Sequence, residues 1–394
     1  MLKRPVRGQK KRKKVHKKLK PSNMACGSSE ESSPDWFDAL AKKIASNLDS
    51  RPSKGLDSFE CVFKMSRRTF EYICLLAREH MAVKTHFAFS NGKPMSLYDQ
   101  VALALNRLSS GRSLVSIGDA FGTSQSTVSQ VTWRFVEAIE RNGHQHIRWP
   151  SAENELMDIK SQFEQIQGLS NCCGAIDTTH IVMLLSTSKR RTDAWLDSKE
   201  NYSMPLQAIV GPNLKFLDIF SGLPGMLNES SLLPYSSFYD KCQKGERLNG
   251  KKTKLSQDAE LQEYIVGDSA YPLLPWLLTP YQGNDLSQTK VDFNKHHLAT
   301  RVVAQRALAR LKDVWKMIDG VVWRPDRHKL PSFIFVCCIL HNIVIDMEDE
   351  VLEELPLYHC HDPGYGQDFC DSADVTASVS RDNLALYQSE RNHP

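Results

Sequence analysis

Cys172-Cys173-Gly174-Ala175-Ile176-Asp177-Thr178-Thr179-His180 reads as a buried strand that delivers one carboxylate. A second stretch, Glu263 to Gly267, is another short apolar run and leads into Asp268-Ser269-Ala270-Tyr271-Pro272. Two acids at strand ends, followed by a helix that brings a third, are what a protein uses to hold divalent cations against a phosphodiester. The long helix expected from about Leu298 supplies Gln305 where that third acid would stand. An amide oxygen can ligate a hard cation, but it brings no charge to offset the ion.

Outward from Asp177 the same alternation continues. Cys172 to Leu185, Met204 to Val210 and Leu214 to Phe220 are apolar runs separated by polar or Gly/Pro breaks, which predicts neighbouring strands. Helices are expected near Glu229, from Leu298 and through Phe333 to Asp346, giving an α/β layer protein with helices on the sheet faces.

Upstream the period changes to helical. Phe70, Ile73, Cys74 and Ala77 share one face, and a second helix covers Ser96 to Leu108. A short helix over Ser113 to Phe121, a Gly122-Thr123 turn, a Ser124 cap and a third helix from Gln125 to Arg141 have helix-turn-helix spacing. The third helix would present Gln125, Ser126, Ser129 and Gln130 to base edges, with Arg134 toward phosphates. A plain three-helix bundle packed on the next domain fits the same pattern. His180, His341 and Asn342 read equally as site residues or as satisfied buried polar groups, and Tyr202, Ser203 and Gln207 as packing residues.

The chain has 394 residues, 41% of them hydrophobic, enough for a large core in two folded parts. Its net charge of +4 is uneven. Residues 1 to 20 hold eleven Lys or Arg and no acid, whereas residues 345 to 394 hold twelve Asp or Glu and only Arg381 and Arg391. Such blocks repel themselves and carry too few apolar groups to fold. Lys10-Lys11-Arg12-Lys13-Lys14, with Lys17 and Lys18, reads as a nuclear-import signal or a nucleic-acid arm, so the expected location is the nucleus. The expected organisation is a disordered basic and polar arm over 1–55, broken by one short amphipathic helix. A helix-turn-helix domain follows over 56–145, an α/β domain over 165–346 and an acidic disordered tail over 347–394. No apolar run nears the ~18 residues of a membrane span, and no secretory signal opens the chain. Cys172-Cys173 and Cys337-Cys338 lie in apolar runs without zinc-like spacing and read as buried reduced thiols of an intracellular protein; His359-Cys360-His361 with Cys370 is a weak metal candidate.

Several ordered motifs together resemble the PIF/Harbinger group of DDE transposases and their host-domesticated relatives. They are Asp177-Thr178-Thr179-His180-Ile181, Gly222 to Ser230, Gly267 to Pro272, Phe293-Asn294-Lys295-His296-His297 with Arg301, and Ile339-Leu340-His341-Asn342. The resemblance covers Phe59 to Asp346 and implies an RNase H-like catalytic domain. It implies carboxylates at positions matching Asp177, Glu229, Asp268 and Gln305, holding two magnesium or manganese ions that activate the attacking hydroxyl. Here Asn228-Glu229 replaces the family's His-Asp pair, Gln305-Arg306 replaces Glu-Arg, and Leu308-Ala309 and Leu298 stand where Phe-Gly and Ser are usual. Losing a charged ligand of the ion should cost at least the ~10 to 100-fold seen for outer-shell groups. The expectation is a domesticated nuclear protein with a degenerate site, acting in chromatin through partners. The resemblance implies a Polycomb-type complex and a Myb-like DNA-binding protein as those partners. The alternatives are an active divalent-metal-dependent endonuclease or transposase, and a sequence-specific DNA-binding regulator.

Overall fold

The computed structural model describes residues 34–45, 58–82, 87–185, 193–256, 259–323, 325–347 and 369–392. The basic run Lys10 to Lys18 and the His359-Cys360-His361 segment lie outside them.

The helical part comprises α1 (Pro34–Ala45), α2 (Ser58–Phe63), α3 (Arg67–Met81), α4 (Leu97–Ser110), α5 (Leu114–Phe121) and α6 (Gln125–Gly143). Their starts follow from sequence, since Ser66, Ser96, Ser113 and Ser124 each accept a backbone N–H of the next turn. At Ser96, Asp99 reciprocates and completes a capping box. Gly122, at φ 71°, closes α5. Gly118 lets the α5–α6 turn fold tightly, because a Cβ there would sit 2.7 Å from the Thr123 carbonyl oxygen. The arm expected over 1–55 is docked where α1 lies: Phe37, Leu40 and Ile44 are buried, and Phe37 meets Phe59 edge-on at 4.8 Å. Those apolar residues recur at helical spacing and find an aromatic nest of Phe59, Phe63, Phe70 and Tyr98.

The second part begins with α7 (Glu153–Gln167) and continues through β1 (Cys172–Leu184), β2 (Ser203–Val210), β3 (Phe216–Ser221), α8 (Glu229–Leu232) and α9 (Ser237–Gln243). The small pair β4 (Thr253–Lys254) and β5 (Glu260–Leu261) precedes β6 (Tyr264–Val266), β7 (Leu277–Leu278), α10 (Gln288–Val314), β8 (Val322–Trp323), α11 (Leu330–Asp346) and α12 (Val375–Asn392). The sheet order is β3-β2-β1-β6-β7, with β8 pairing the far end of β1. β1, β2 and β3 form an antiparallel meander, and β6 and β7 add parallel strands on the other edge of β1. This order fits the RNase H-like layer that the resemblance implies.

β1 runs over nearly the whole expected stretch from Cys172 to Leu185, because Thr, Ile and Val suit an extended, half-buried surface, so Asp177 lies within the strand and not at its end. Two other expectations change. α10 begins ten residues before Leu298, so the Phe293-to-His297 motif is helical. The acidic tail is not featureless: α12 packs on α10 and buries Ala377, Leu384 and Ala385. A count of net charge over 347–394 hides that apolar stripe.

The two parts share one core. α11 packs on both α6 and β3. Asn342 on α11 accepts from Phe216 N–H at 2.9 Å and donates at 2.8 Å to the carbonyls of Phe216 and His146. His341 donates through Nε2 to the Leu214 carbonyl at 2.9 Å. Cys172, Cys173, Cys337 and Cys338 are free and buried, and burial pushes the Cys172 thiol up to about 12.

Candidate functional site

Register alone brings the first two acids together. β1 and β6 run parallel with Ala175 beside Val266, so Asp177 on β1 and Asp268, two residues past the end of β6, both follow that last pair in the same direction. Gly267 permits the approach: a Cβ there would sit 2.9 Å from Ile176 Cγ2 and 3.1 Å from the Tyr271 ring.

Tyr271 organises the centre. Its buried hydroxyl meets Thr178 Oγ1 at 2.7 Å. Burial pushes the phenol well above its ordinary value, and the charges of Glu229, Asp268 and Asp177 push the same way, against the Thr178 hydrogen bond. Three of the four expected site residues therefore act on one phenol. Sequence reasoning passed Tyr271 by, although its place three residues after Asp268 was a usable signal.

Each carboxylate is differently engaged. Asp177 is 5% exposed; Oδ1 accepts from Thr178 N–H at 3.0 Å, and Oδ2 is buried without a hydrogen-bond partner among the described residues. Leaving such an oxygen unsatisfied costs about 1–3 kcal/mol or more, so a cation or a water fits there. Asp268 Oδ1 accepts from Ala270 N–H at 3.1 Å, while Oδ2 lies 3.2 Å from Arg301 Nη1. Both side chains of that pair are nearly buried, at 12% and 6% exposure, so the attraction is little screened. Glu229 opens α8, whose cap is Asn228, accepting from Ser231 N–H at 3.1 Å. Asn228 thus serves the backbone, a task at which amide and carboxylate oxygens are interchangeable.

α10 supplies the facing wall. Asn294, His297, Arg301 and Gln305 recur at three- and four-residue steps and share one face. Asn294 brackets Tyr281, accepting from its N–H at 2.8 Å and donating to its carbonyl at 2.9 Å. His297 donates to the Leu278 carbonyl at 3.0 Å, and burial lowers its pKa to about 4. Gln305 is half-buried one turn beyond Arg301. Further along, Lys312 donates to the His180 carbonyl at 3.0 Å.

The donor set does not fit a two-ion centre. Asp177 has an oxygen to give, but Arg301 neutralises Asp268 and Gln305 carries no charge. Among the described residues, no group of three or more His, Cys, Asp or Glu side chains is placed to hold a metal ion. No catalytic step through a metal is derived from this arrangement.

The remaining motif residues lie on the sheet, on α11 and on α6. His180 Nδ1 is 2.9 Å from Ser203 Oγ. His341 is 4% exposed, and burial lowers its pKa to about 3. Gln207 is buried on β2, opposite Thr178, and its Oε1 lacks a partner among the described residues. On α6, Gln125, Ser126, Ser129 and Gln130 are exposed, as expected for the outer face. Arg134 turns inward instead: it donates to the His80 carbonyl at 2.9 Å and stacks over Phe87. The free carbonyls at the end of α3 attract that guanidinium.

Comparison with known proteins agrees with the motif order. The model of the DDE superfamily endonuclease family matches residues 176–342, which span Asp177, Glu229, Asp268 and Gln305. Protein ALP1-like of Arabidopsis thaliana is 52% identical over 352 residues, covering 89% of this chain and 85% of the relative. Antagonist of Like Heterochromatin Protein 1 of Arabidopsis thaliana is 45% identical over 349 residues, covering 88% and 87%. No solved structure matches. The chain therefore belongs to the DDE superfamily endonuclease family, in the domesticated, Harbinger-type branch that includes these two Arabidopsis proteins.

Proposed function

We infer that this protein is a transposase-derived nuclear regulator that works in chromatin through protein partners and cleaves DNA poorly or not at all. The observation that carries the reading is the capture of Asp268 by Arg301, beside a helix whose next facing residue is the amide Gln305. A two-ion phosphodiester reaction needs several anionic oxygens around the ions, and this centre offers fewer. The relative named as an antagonist of like heterochromatin protein, at 45% identity, supports a role in chromatin. A Polycomb-type complex and a Myb-like DNA-binding protein are the partners we propose, and the basic run at Lys10 to Lys18 is the nuclear address.

Incubation of the full-length protein with supercoiled plasmid and magnesium or manganese tests the reading. The expected outcome is no nicking above a no-protein control. Robust wild-type nicking that Asp177→Ala abolishes would overturn it in favour of an active endonuclease. The exposed Gln125, Ser126, Ser129 and Gln130 favour a second activity, sequence-selective DNA binding. Gel retardation that persists without residues 1–20 and prefers particular sequences would support it; loss of binding with that deletion would make α5 and α6 structural only.

A further inference from the structure

The turn that carries Asp268 is gripped from two sides. From the α10 side, Arg301 holds Asp268, His297 holds the Leu278 carbonyl and Asn294 holds Tyr281. From the other side the grip comes from residues 369–392, which lie beyond the stretch matched by the endonuclease family. Cys370 N–H donates to the carbonyl of Ser269, the residue directly after Asp268, at 2.8 Å. Leu273 N–H donates to the Ser372 carbonyl and Asp374 N–H donates back to the Leu273 carbonyl, both at 2.9 Å, so Ala373 makes an isolated parallel bridge to Leu273.

α12 then anchors that segment. Arg381 donates to the carbonyls of Thr279 at 3.0 Å and Pro280 at 3.2 Å, and its guanidinium carbon lies 4.0 Å from the centre of the Tyr281 ring. Tyr281 Oη donates to Asp382 at 2.6 Å. At the far end Gln388 reaches the Gly168 carbonyl and Arg391 pairs with Glu164. The side chains of Asp371, Ser372 and Ala373 are exposed, so main-chain hydrogen bonds and a few side-chain anchors hold this segment where it crosses the turn. At 370–374 the attachment is main-chain hydrogen bonding under mostly exposed side chains, which opens at lower free energy than α12, held to α10 by Ala377, Leu384 and Ala385.

We propose that residues 369–392 are an intramolecular strap, which fixes the Asp268 turn against α10, keeps Asp268 paired with Arg301 and so withholds that carboxylate from a divalent cation. The proposal rests on the reading of the site as closed to the two-ion reaction and adds what closes it. With the Ser269 carbonyl held, the backbone that carries Asp268 stays beside Arg301, away from sharing a cation with Asp177 Oδ2, which has no hydrogen-bond partner among the described residues. With the strap loosened, a doubly charged ion can compete for Asp268 against a single guanidinium.

The test measures manganese affinity of the full-length chain by titration calorimetry, with amide hydrogen exchange of residues 268–281. Tyr281→Phe with Arg381→Gln removes the side-chain anchors; Arg301→Gln frees Asp268 and leaves the strap in place. Both variants should bind manganese at least about 10-fold more tightly than wild type, the scale on which groups around ion ligands act. Exchange across 268–281 should rise in the strap variant. Tighter binding in Arg301→Gln alone, or faster exchange with unchanged manganese affinity in the strap variant, would reduce the segment to a brace and overturn the proposal. Tyr281→Phe alone is the milder form should the double variant lose its fold by circular dichroism; no gain in affinity there, with faster exchange, also overturns it. Plasmid nicking by the wild type would defeat the functional reading, whereas the strap is judged only on the differences between variants and wild type.

Discussion

At the scale of single residues, the motif letters of this family divide into groups that could do chemistry and groups that hold the sheet. His297 and His341 belong to the second kind. Burial lowers their pKa values to about 4 and about 3, from 6.5. Each is neutral in the folded protein and takes up a proton on unfolding below pH 6.5. Their contribution is therefore complete above pH 6.5 and is lost as pH falls toward those folded values, at about 1.4 kcal/mol per pH unit for each group. The expected outcome is a fall in the urea midpoint between pH 7 and pH 5 that becomes shallower in a His297→Gln/His341→Gln variant. An equal fall in that variant would assign the acid sensitivity to carboxylates instead. Asn342 is the other residue to probe: Asn342→Ala leaves the N–H and carbonyl of Phe216 and the carbonyl of His146 without their partner. A loss of about 3 kcal/mol in equilibrium unfolding is expected for that many buried groups.

At the scale of elements, close approach of β6 to β1 decides whether a site exists at all. Gly267→Ala would place a methyl 2.9 Å from Ile176 Cγ2 and 3.0 Å from Leu277 Cδ1. Overpacking of this kind costs about 1–3 kcal/mol and would push the Asp268 turn away from Asp177. Lower thermal stability with faster exchange at 265–271 is expected; a variant as stable as wild type would show that the strands separate freely. α1 makes the contrasting case, an element whose apolar face was visible but whose docking partner was not. Phe37→Ala should remove about 3 kcal/mol of packing against Phe59 and Phe70. Limited proteolysis should then cut within α1 first, ahead of global unfolding.

At the scale of the whole molecule, the helical part and the sheet are one body joined by polar contacts as well as by packing. Tyr72 on α3 meets His146 Nε2 at 3.0 Å, and His146 Nδ1 meets Asp346 at 3.1 Å at the end of α11. Lys215, in the β2–β3 turn, pairs with the same carboxylate. Burial works to raise the Asp346 carboxyl, but hydrogen bonds from His146 and Lys215 hold it below its ordinary value. Asp346→Ala should therefore loosen the helical part from the sheet, with the exchange of α3 and α11 rising together; a change confined to α11 would show the two parts to be independent. Helix starts were legible in the sequence because a cap needs only residues three apart, as at Ser96 and Asp99. Strand identity at Cys172–Leu184 was legible from its apolar and β-branched run, and so were the positions of Asp177 and Asp268. The loss of a carboxylate at Gln305 needed no structure either, since charge is a property of the residue. What the tertiary structure decided was which groups those residues face. Asp268 turned out to be held by Arg301, Arg134 to reach the end of α3, and the acidic C-terminal segment to lie across the turn after Asp268. Pairings between residues tens to hundreds of positions apart depend on strand register and helix packing, which no local pattern encodes.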